Sequence, residues 1–383
     1  MRHDNSVFHG LQRQIPWCVF DRLVEKHGTD RRVRRLDTKS QFLALLFGQL
    51  SGAASLREIE AGLQSHAARL YHLGARRPAR STLADANQRR SWQVFGELFA
   101  HMAKAAGRRT RRHLADATCL LDATRLEVGS LSAGWLEAQQ GRHALKLHMA
   151  YDPAGQSPGE ASVTGQAVND ITPAKAMPIT PGMTYVFDLG YYDFGWWTRL
   201  DAQGCRFVTR LKANTRLDAT QPQPVPAGSN ILSDEIGLLP RQPARRQTFP
   251  DPLRQLVIRI ATGKTIRIVT NDLDAPAQDI ADLYKTRWKI ELFFKWIKQN
   301  LKIARFLGTS ENPIRTQIFV ALIAYLVLRA AHAAQDAVET PLTFARLVRL
   351  NIMQRRRLDR LINPENTRKH INPNQMTFAF KLN

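Results

Sequence analysis

The feature that most restricts the fold is a change in hydrophobic periodicity near residue 113. Up to that point the chain follows a helical period, most densely in the apolar run Gln41 to Leu50. After the basic run Arg108 to Arg112, short β-like segments separated by turns replace it. From Gln278 to about Leu350 the period is mostly helical again. The pattern predicts a helical N-terminal region followed by a mixed α/β sheet with its covering helices.

The middle of the chain resolves into individual strands. Alternation and turn residues predict strands at 119–128, 144–151, 160–166, 183–189 and 205–211, and short helices near 172–176 and 194–200. Residues 213–240 are rich in Pro, Gln, Asn and Gly, which indicates a loop. Leu256 to Ile260 and Thr265 to Val269 then form a predicted hairpin about Gly263.

The charge balance points to a polyanionic partner. Lys and Arg number 55 against 33 Asp and Glu, a formal net charge of +22 with a sequence pI near 10.6. Each phosphate that such a protein neutralises releases counterions, so nucleic acid is the expected ligand. An Arg-rich protein with no such partner is the competing interpretation.

Other sequence features exclude several protein classes. The three cysteines are scattered and form no CxxC pair, which argues against a zinc ribbon or a disulfide framework and fits a cytoplasmic protein. The longest apolar stretch, Ile318 to Leu328, has 11 residues. A bilayer-spanning helix needs about 20. A buried helix and no membrane association are therefore predicted.

The N-terminal helices allow two interpretations. Two short helical runs are followed by a basic turn, and Thr82 with Asp85 fits a capping box for a helix ending at Arg89 and Arg90. This order resembles a helix-turn-helix DNA reader. A plain helical bundle with solvated arginines explains the pattern equally well.

Two aspartates lie inside apolar strands. Asp122 follows Cys119-Leu120-Leu121, and Asp188 ends Tyr185-Val186-Phe187. A buried carboxylate is costly to ionise unless it lies at a strand end or meets a cation. Taken singly, each aspartate is more often a turn residue than a metal ligand.

A predicted helix from Gln278 to Lys302 carries a third acid. Its residues Tyr284, Arg287, Glu291 and Lys298 fall within about 60° of one another at about 100° per residue, and Trp288 and Lys295 border the same stripe. Glu291 is the only acid among these cationic and aromatic side chains. The stripe suits a helix that brings Glu291 to a metal while its neighbours follow phosphates. A solvated helix laced with charges is the ordinary alternative.

The spacing Y-x-x-R-x-x-x-E followed by K seven residues on resembles the signature of the insertion-sequence-four family of DDE transposases. It is formed here by Tyr284, Arg287, Glu291 and Lys298. The Asp-Ala-Thr segment at Asp122 and the Asp-Leu-Gly-Tyr segment at Asp188 resemble the family's other two acidic motifs. The resemblance covers nearly the whole chain.

The resemblance implies an RNase H-like catalytic core in an α/β fold. It divides the chain into a helical N-terminal DNA-binding domain (1–113), the first part of the core (114–212), a β-rich insertion (213–272), the last part of the core with the Glu-bearing helix (273–335), and a helical C-terminal segment and tail (336–383).

The resemblance also implies a chemistry. Asp122, Asp188 and Glu291 would be the catalytic residues and would bind two Mg²⁺ ions, for which Mn²⁺ would substitute. Arg287 and Lys298 would hold phosphates, and Tyr284 would donate a hydrogen bond to one. Lys295 and Trp288 would also contact DNA.

The implied substrates are double-stranded element ends and target DNA, bound by a homodimer. Two other functions stay open from the residues alone. The chain could be a metal-dependent endonuclease that cleaves DNA without joining it. It could also be a DNA-binding regulator built on a transposase scaffold.

Overall fold

A computed structural model describes residues 6–111, 117–129, 135–136, 143–240, 249–301, 303 and 306–362. The described part before residue 112 is helical, with α1 (Val7–Gln12), α2 (Trp17–Lys26), α3 (Thr38–Ser51), α4 (Leu56–Ser65), α5 (Ala67–Leu70), α6 (Arg80–Arg89) and α7 (Gln93–Arg111). This confirms the predicted helical N-terminal region. The predicted tail, 363–383, lies outside the described residues.

The described strands form one nine-stranded mixed sheet in the order β3-β2-β1-β4-β5-β9-β8-β7-β6. They are β1 (Thr118–Glu127), β2 (Ala144–Asp152), β3 (Ser157–Gly165), β4 (Thr184–Val186), β5 (Arg206–Arg210), β6 (Asp218–Pro222), β7 (Ile231–Leu238), β8 (Leu253–Arg259) and β9 (Thr265–Thr270). Strands β1, β4 and β5 are parallel, and β2, β3 and β9 run against their neighbours. Helices α8 (Ile171–Ala176) and α9 (Phe194–Asp201) lie between strands. The predicted mixed α/β class is confirmed.

The loop predicted at 213–240 is wrong, because this segment contains β6 and β7. Pro and Gln lower the propensity for strand, but β7 pairs with β8 along most of its length and buries Ile231 and Asp234. Strand β6 is the edge of the sheet and is exposed throughout, and an edge strand tolerates Pro222. Tertiary pairing therefore overrides local composition here. The predicted hairpin about Gly263 is confirmed by β8 and β9.

The capping box predicted at Thr82 and Asp85 is also wrong. Helix α6 begins at Arg80, two residues before Thr82, and its N-cap residue provides no side-chain hydrogen bond. The backbone N–H of Arg80 donates instead to the Glu60 carboxylate on α4, at 2.9 Å. A neighbouring helix thus satisfies a donor that the sequence pattern assigned to a local cap.

The helix predicted from Gln278 to Lys302 is two helices, α10 (Ala277–Thr286) and α11 (Trp288–Asn300). At the junction the N–H of Arg287 bonds the Tyr284 carbonyl at 3.1 Å, and the N–H of Ile290 bonds the Arg287 carbonyl at 3.2 Å. These three-residue spacings tighten the chain into a single 3₁₀-type turn. Helical periodicity continues through such a turn, so the sequence pattern does not show the break.

One long helix, α12 (Glu311–Ala333), joins the N-terminal helices to the sheet; α13 (Pro341–Asn351) follows it. The ring of Phe319 on α12 stacks on that of Trp92, which lies just before α7, with ring centroids 5.3 Å apart. Among the described residues α12 alone is long and apolar enough to cross a bilayer, yet 83% of its most apolar window is buried in the protein. The predicted buried helix is confirmed.

Candidate active site

Two parallel strands bring Asp122 and Asp188 to the same level of the sheet. Leu120 on β1 pairs with Val186 on β4, and each aspartate lies two residues beyond its member of this pair. Side chains two residues apart on a strand share a face. Both carboxylates therefore emerge at the end of the paired segment, on the face whose apolar residues pack with Ile290 of α11.

The Asp188 carboxylate fits tightly against the turn that follows it. Its Oδ1 accepts a hydrogen bond from the N–H of Gly190 at 2.8 Å. A Cβ at Gly190 would lie 3.0 Å from this oxygen and 3.0 Å from Oδ2 of Asp170, so a larger residue would crowd both carboxylates. Asp122 is held more simply, with Oδ1 accepting from the N–H of Ala123 at 2.8 Å.

Arg287 lies between two of the three predicted acids. Its Nη2 is 2.5 Å from Oε1 of Glu291, one helical turn later, and its Nη1 is 3.5 Å from Oδ2 of Asp122. The guanidinium also lies 6.0 Å from the centroid of the Tyr284 ring. Burial disfavours its charge, but Tyr284, Glu291 and Asp122 outweigh burial and raise the pKa of Arg287. The 3₁₀-type turn at Arg287 thus places a cation against both carboxylates.

Burial and the two nearby carboxylates raise the pKa of Asp122. Burial is the main reason that it rises to about 6, and the carboxylates of Asp188 and Glu291 raise it further. The N–H of Ala123 and the guanidinium of Arg287 oppose that rise. Asp122 is therefore coupled electrostatically to both other acids, and added positive charge would stabilise all three as carboxylates.

The remaining predicted residues lie in different surroundings. Tyr284 is buried, and burial raises the pKa of its hydroxyl. Trp288 is 57% exposed and Lys295 is exposed, so both face solvent on α11. Burial lowers the pKa of Lys298, while Glu127, five residues beyond Asp122 on β1, acts in the opposite direction. The structure thus groups Tyr284 and Arg287 with the acids, leaves Trp288 and Lys295 facing solvent, and places Lys298 further along α11.

Comparison with known proteins identifies the family. The family model described as "Transposase DDE domain" matches residues 114–327, and residues 3–76 match a "Domain of unknown function (DUF4372)". The putative transposase y4zB of Sinorhizobium fredii is 37% identical over 312 residues, covering 79% of this chain and 87% of that protein. The chain belongs to the DDE transposase family. It is a DNA transposase, an enzyme of DNA cleavage and strand transfer.

Further relatives of this transposase are themselves transposases. The probable transposase for insertion sequence element IS5377 of Geobacillus stearothermophilus is 30% identical, covering 65% of this chain and 66% of that protein. InsG of IS4 from Escherichia coli is 30% identical over 105 residues, covering 25% and 24%. Among solved structures, a piggyBac transposase synaptic complex with hairpin DNA has a TM-score of 0.47 at 12% identity, covering 91% of this chain and 78% of that one.

The donor chemistry of the transposase site suits a divalent metal ion, a general requirement of the family. Carboxylate oxygens are the hard ligands that Mg²⁺ and Mn²⁺ prefer. Among the residues that the structure describes, no group of three His, Cys, Asp or Glu side chains stands close enough to hold a metal. The Arg287 guanidinium pairs with Asp122 and Glu291. The residues fit the ion by type.

Sequence analysis missed Arg210, which belongs to the same site. Val186 on β4 pairs with Val208 on β5, so Asp188 and Arg210 each lie two residues beyond this pair. The positive charge of Arg210 acts to lower the pKa of Tyr284. The Nε of Arg210 is buried without a hydrogen-bond partner among the described residues. Only the strand register reveals this position, because Arg210 at a strand end has no distinctive sequence context.

Trp196, Trp197 and Trp288 differ in their exposure to solvent. Trp196 and Trp197 on α9 are 2% and 0% exposed and pack with Phe187 and Phe207. Their role is core packing. Trp288 alone of the three tryptophans presents its ring to solvent.

Proposed function

We propose that Asp122, Asp188 and Glu291 are the catalytic carboxylates of this transposase and hold two Mg²⁺ ions, with Mn²⁺ able to substitute. The observation that carries the proposal is the equivalent position of the two aspartates on adjacent parallel strands, with Arg287 joining Asp122 to Glu291. Bound divalent ions would supply Lewis acidity toward phosphate oxygens and lower the pKa of a coordinated water. The three side chains would hold those ions close to the scissile phosphate.

The neighbouring residues would bind the DNA backbone around this site. The Arg287 and Arg210 side chains each have a buried Nε without a described hydrogen-bond partner, and a phosphate oxygen would satisfy such a donor. The Tyr284 hydroxyl would donate to a phosphate from the same side. DNA would also contact Lys298, Lys295 and Trp288 on α11, of which Lys295 and Trp288 are exposed.

The overall reaction would be cleavage at the ends of a double-stranded element and joining of the freed 3′-hydroxyls to target DNA. One carboxylate site serves one DNA end at a time, so pairing of two ends supports a homodimer in the DNA-bound complex. The net charge of +22 supports binding of long DNA, in the cytoplasm and on the nucleoid.

A strand-transfer assay tests the proposal and separates the alternatives. The protein is incubated with labelled element ends, a plasmid target and Mg²⁺, and cleaved and joined products are resolved. Joined products support transposition. Cleavage without joining would support the endonuclease alternative, and binding without cleavage would support the regulator.

Replacement of Glu291 by Gln tests the site assignment in the same assay. The variant keeps the shape of the side chain but removes its charge, so cleavage should fall at least about a hundredfold while DNA binding persists. Asp282→Asn, an exposed carboxylate on α10, is the matched control and should retain activity. Unchanged cleavage in the Glu291 variant would overturn the assignment.

A further inference from the structure

A second charged cluster lies beside the carboxylate site, and the proposed function makes no use of it. It consists of Asp170, just before α8, with Lys146 and His148 on β2, and we call it the Asp170 cluster. Nζ of Lys146 is 2.9 Å from Oδ1 of Asp170, and Nδ1 of His148 is 3.8 Å from the same oxygen. None of these three residues belongs to the acidic motifs or to the spacing pattern around Glu291.

The Asp170 carboxylate does not cap its own helix. Aspartate is among the residue types that most often cap a helix N-terminus through the side chain. Asp170 occupies the N-cap position of α8, yet its side chain accepts no hydrogen bond from that helix. Its Oδ1 accepts instead from Nζ of Lys146, which also donates to the carbonyl of Val168 at 3.0 Å. Lys146 therefore fixes the direction of the carboxylate.

The other oxygen of Asp170 faces the turn that follows Asp188. A Cβ built on Gly190 would lie 3.0 Å from Oδ2 of Asp170 and 3.0 Å from Oδ1 of Asp188. Because both oxygens are 3.0 Å from one point, they are no more than about 6 Å apart. The N–H of Gly190 also donates to Oδ1 of Asp188. Asp170 is thus separated from a proposed metal ligand by little more than the backbone of one glycine.

A buried hydroxyl is close to three carboxylates, and Asp170 is one of them. Burial raises the pKa of Tyr191 above its ordinary value, and the carboxylates of Asp122, Asp170 and Asp188 raise it further. Tyr191 is 3% exposed, so water screens these charges weakly. Asp170 therefore contributes to the same electrostatic field as the two aspartates of the carboxylate site.

Lys146 is the cation that balances Asp170. Burial lowers the pKa of His148 to about 4, so the imidazole beside Asp170 is neutral at pH 7. In the part of the chain that the structure describes, Lys146 is the only side chain charged at neutral pH that forms a salt bridge with Asp170. Removal of Lys146 would leave the negative charge beside Asp188 uncompensated.

We propose that Asp170 and Lys146 set the affinity of the carboxylate site for divalent cations, Asp170 strengthening it and Lys146 weakening it. Asp170 is a positioning residue, which acts on the ion through the field at Asp188. Charges of opposite sign beside one cation site change its affinity in opposite directions. The proposal rests on the proposed function, because it takes Asp188 as a ligand of the ion.

Isothermal titration of the DNA-free protein with Mg²⁺ tests these two directions. Asp170→Asn removes a negative charge and keeps the shape of the side chain, so Mg²⁺ affinity should fall about tenfold. Lys146→Met removes the opposing cation, so affinity should rise about threefold. Both side chains are 26% exposed, and water moderates each effect. The double variant should lie between the two single variants.

Asp272 and Arg206 form a matched control pair. Oδ2 of Asp272 is 3.5 Å from Nε of Arg206, which begins β5, whereas Arg210 near the carboxylate site ends that strand. Asp272→Asn and Arg206→Met make the same changes of charge and should leave Mg²⁺ affinity within about twofold, since salt screens distant charges.

The proposal requires opposite shifts in Asp170→Asn and Lys146→Met, and any other pattern would overturn it. A purely structural role of the pair predicts weaker Mg²⁺ binding in both variants, because each would disturb the same turn. Urea unfolding without Mg²⁺ measures that disturbance separately in each variant.

Failure of this proposal and failure of the proposed function give different results. If Asp122, Asp188 and Glu291 do not hold the ion, Glu291→Gln leaves Mg²⁺ affinity unchanged. If the carboxylate site is correct and the Asp170 cluster does not act on it, Glu291→Gln lowers the affinity while the Asp170 and Lys146 variants show no opposite shifts.

Discussion

Arg287 and Glu291 face each other across one helical turn, with the guanidinium Nη2 2.5 Å from the carboxylate Oε1. The same guanidinium reaches Asp122 on β1 at 3.5 Å. A cation built into the chain thus links α11 to β1 between Glu291 and Asp122. A divalent ion entering this site would compete with that cation for the same oxygens.

Replacing Arg287 by Gln should strengthen metal binding in the absence of DNA. The carboxylates lose their internal counter-charge, so Mg²⁺ affinity should rise about tenfold, the equivalent of about 1.4 kcal/mol. Isothermal titration of the DNA-free protein with Mg²⁺ measures this directly. Arg315→Gln breaks a similar pair with Glu311 on α12 and should leave the affinity unchanged. Weaker metal binding in the Arg287 variant would contradict the competition.

Replacing Arg210 by Met should impair cleavage without lowering stability. A charged hydrogen bond to phosphate contributes about 1.5 to 3 kcal/mol, which corresponds to a loss of roughly ten- to a hundredfold in rate. The buried Nε has no described partner in the protein, so the unfolding free energy should not fall. Single-turnover cleavage and urea unfolding measure the two effects. A destabilised variant with normal cleavage would show that Arg210 is structural.

Removing one partner of the buried ion pair of Asp234 and Arg254 should strongly destabilise the outer strands. Asp234 is fully buried, and Arg254 donates to it at 2.9 and 2.6 Å and to the carbonyl of Leu273 before α10. Asp234→Ala leaves a buried guanidinium without its partner, which costs about 3 to 5 kcal/mol. Urea unfolding checks this value. Glu235→Ala, one residue on and partly exposed, should cost less than about 1 kcal/mol.

His148 should make the fold sensitive to acid. Burial lowers its pKa to about 4, and its Nε2 lies 2.8 Å from the hydroxyl of Thr164. The unfolded chain therefore binds a proton near pH 6.5 while the folded chain does not, so stability falls as the pH drops from about 6.5 to about 4. The full effect is about 3 kcal/mol. His148→Gln should flatten this part of the stability profile, measured by urea unfolding at pH 7, 6 and 5; an unchanged profile would refute the assignment.

Local pattern marks the three acids as candidates, because each interrupts or borders an apolar run, but only the resemblance joins them into one proposed site. Local pattern was insufficient for Arg210, whose importance arises from the register between β4 and β5. Local pattern also did not predict the turn at Arg287, because helical periodicity continues through a single 3₁₀-type turn. Non-local pairing decides both features.

The same limit explains the errors outside the site. Residues 213–240 have loop-like composition, and the pairing of β6 with β7 and of β7 with β8 makes strands within them. The start of α6 depends on Glu60, twenty residues earlier, which no local capping pattern includes. Sequence therefore predicted the elements that are determined within one segment and missed those determined between segments.

The stacking of Trp92 on Phe319 restricts which segments of this protein recombination can exchange. The apolar surface of α12, which belongs mostly to the matched catalytic region, packs against α3 and α7 from the N-terminal region. Neither part can be exchanged for an unrelated module without exposing the apolar surface of the other. Recombination between distant members of the family should therefore tolerate poorly a breakpoint between the first 111 residues and the remainder.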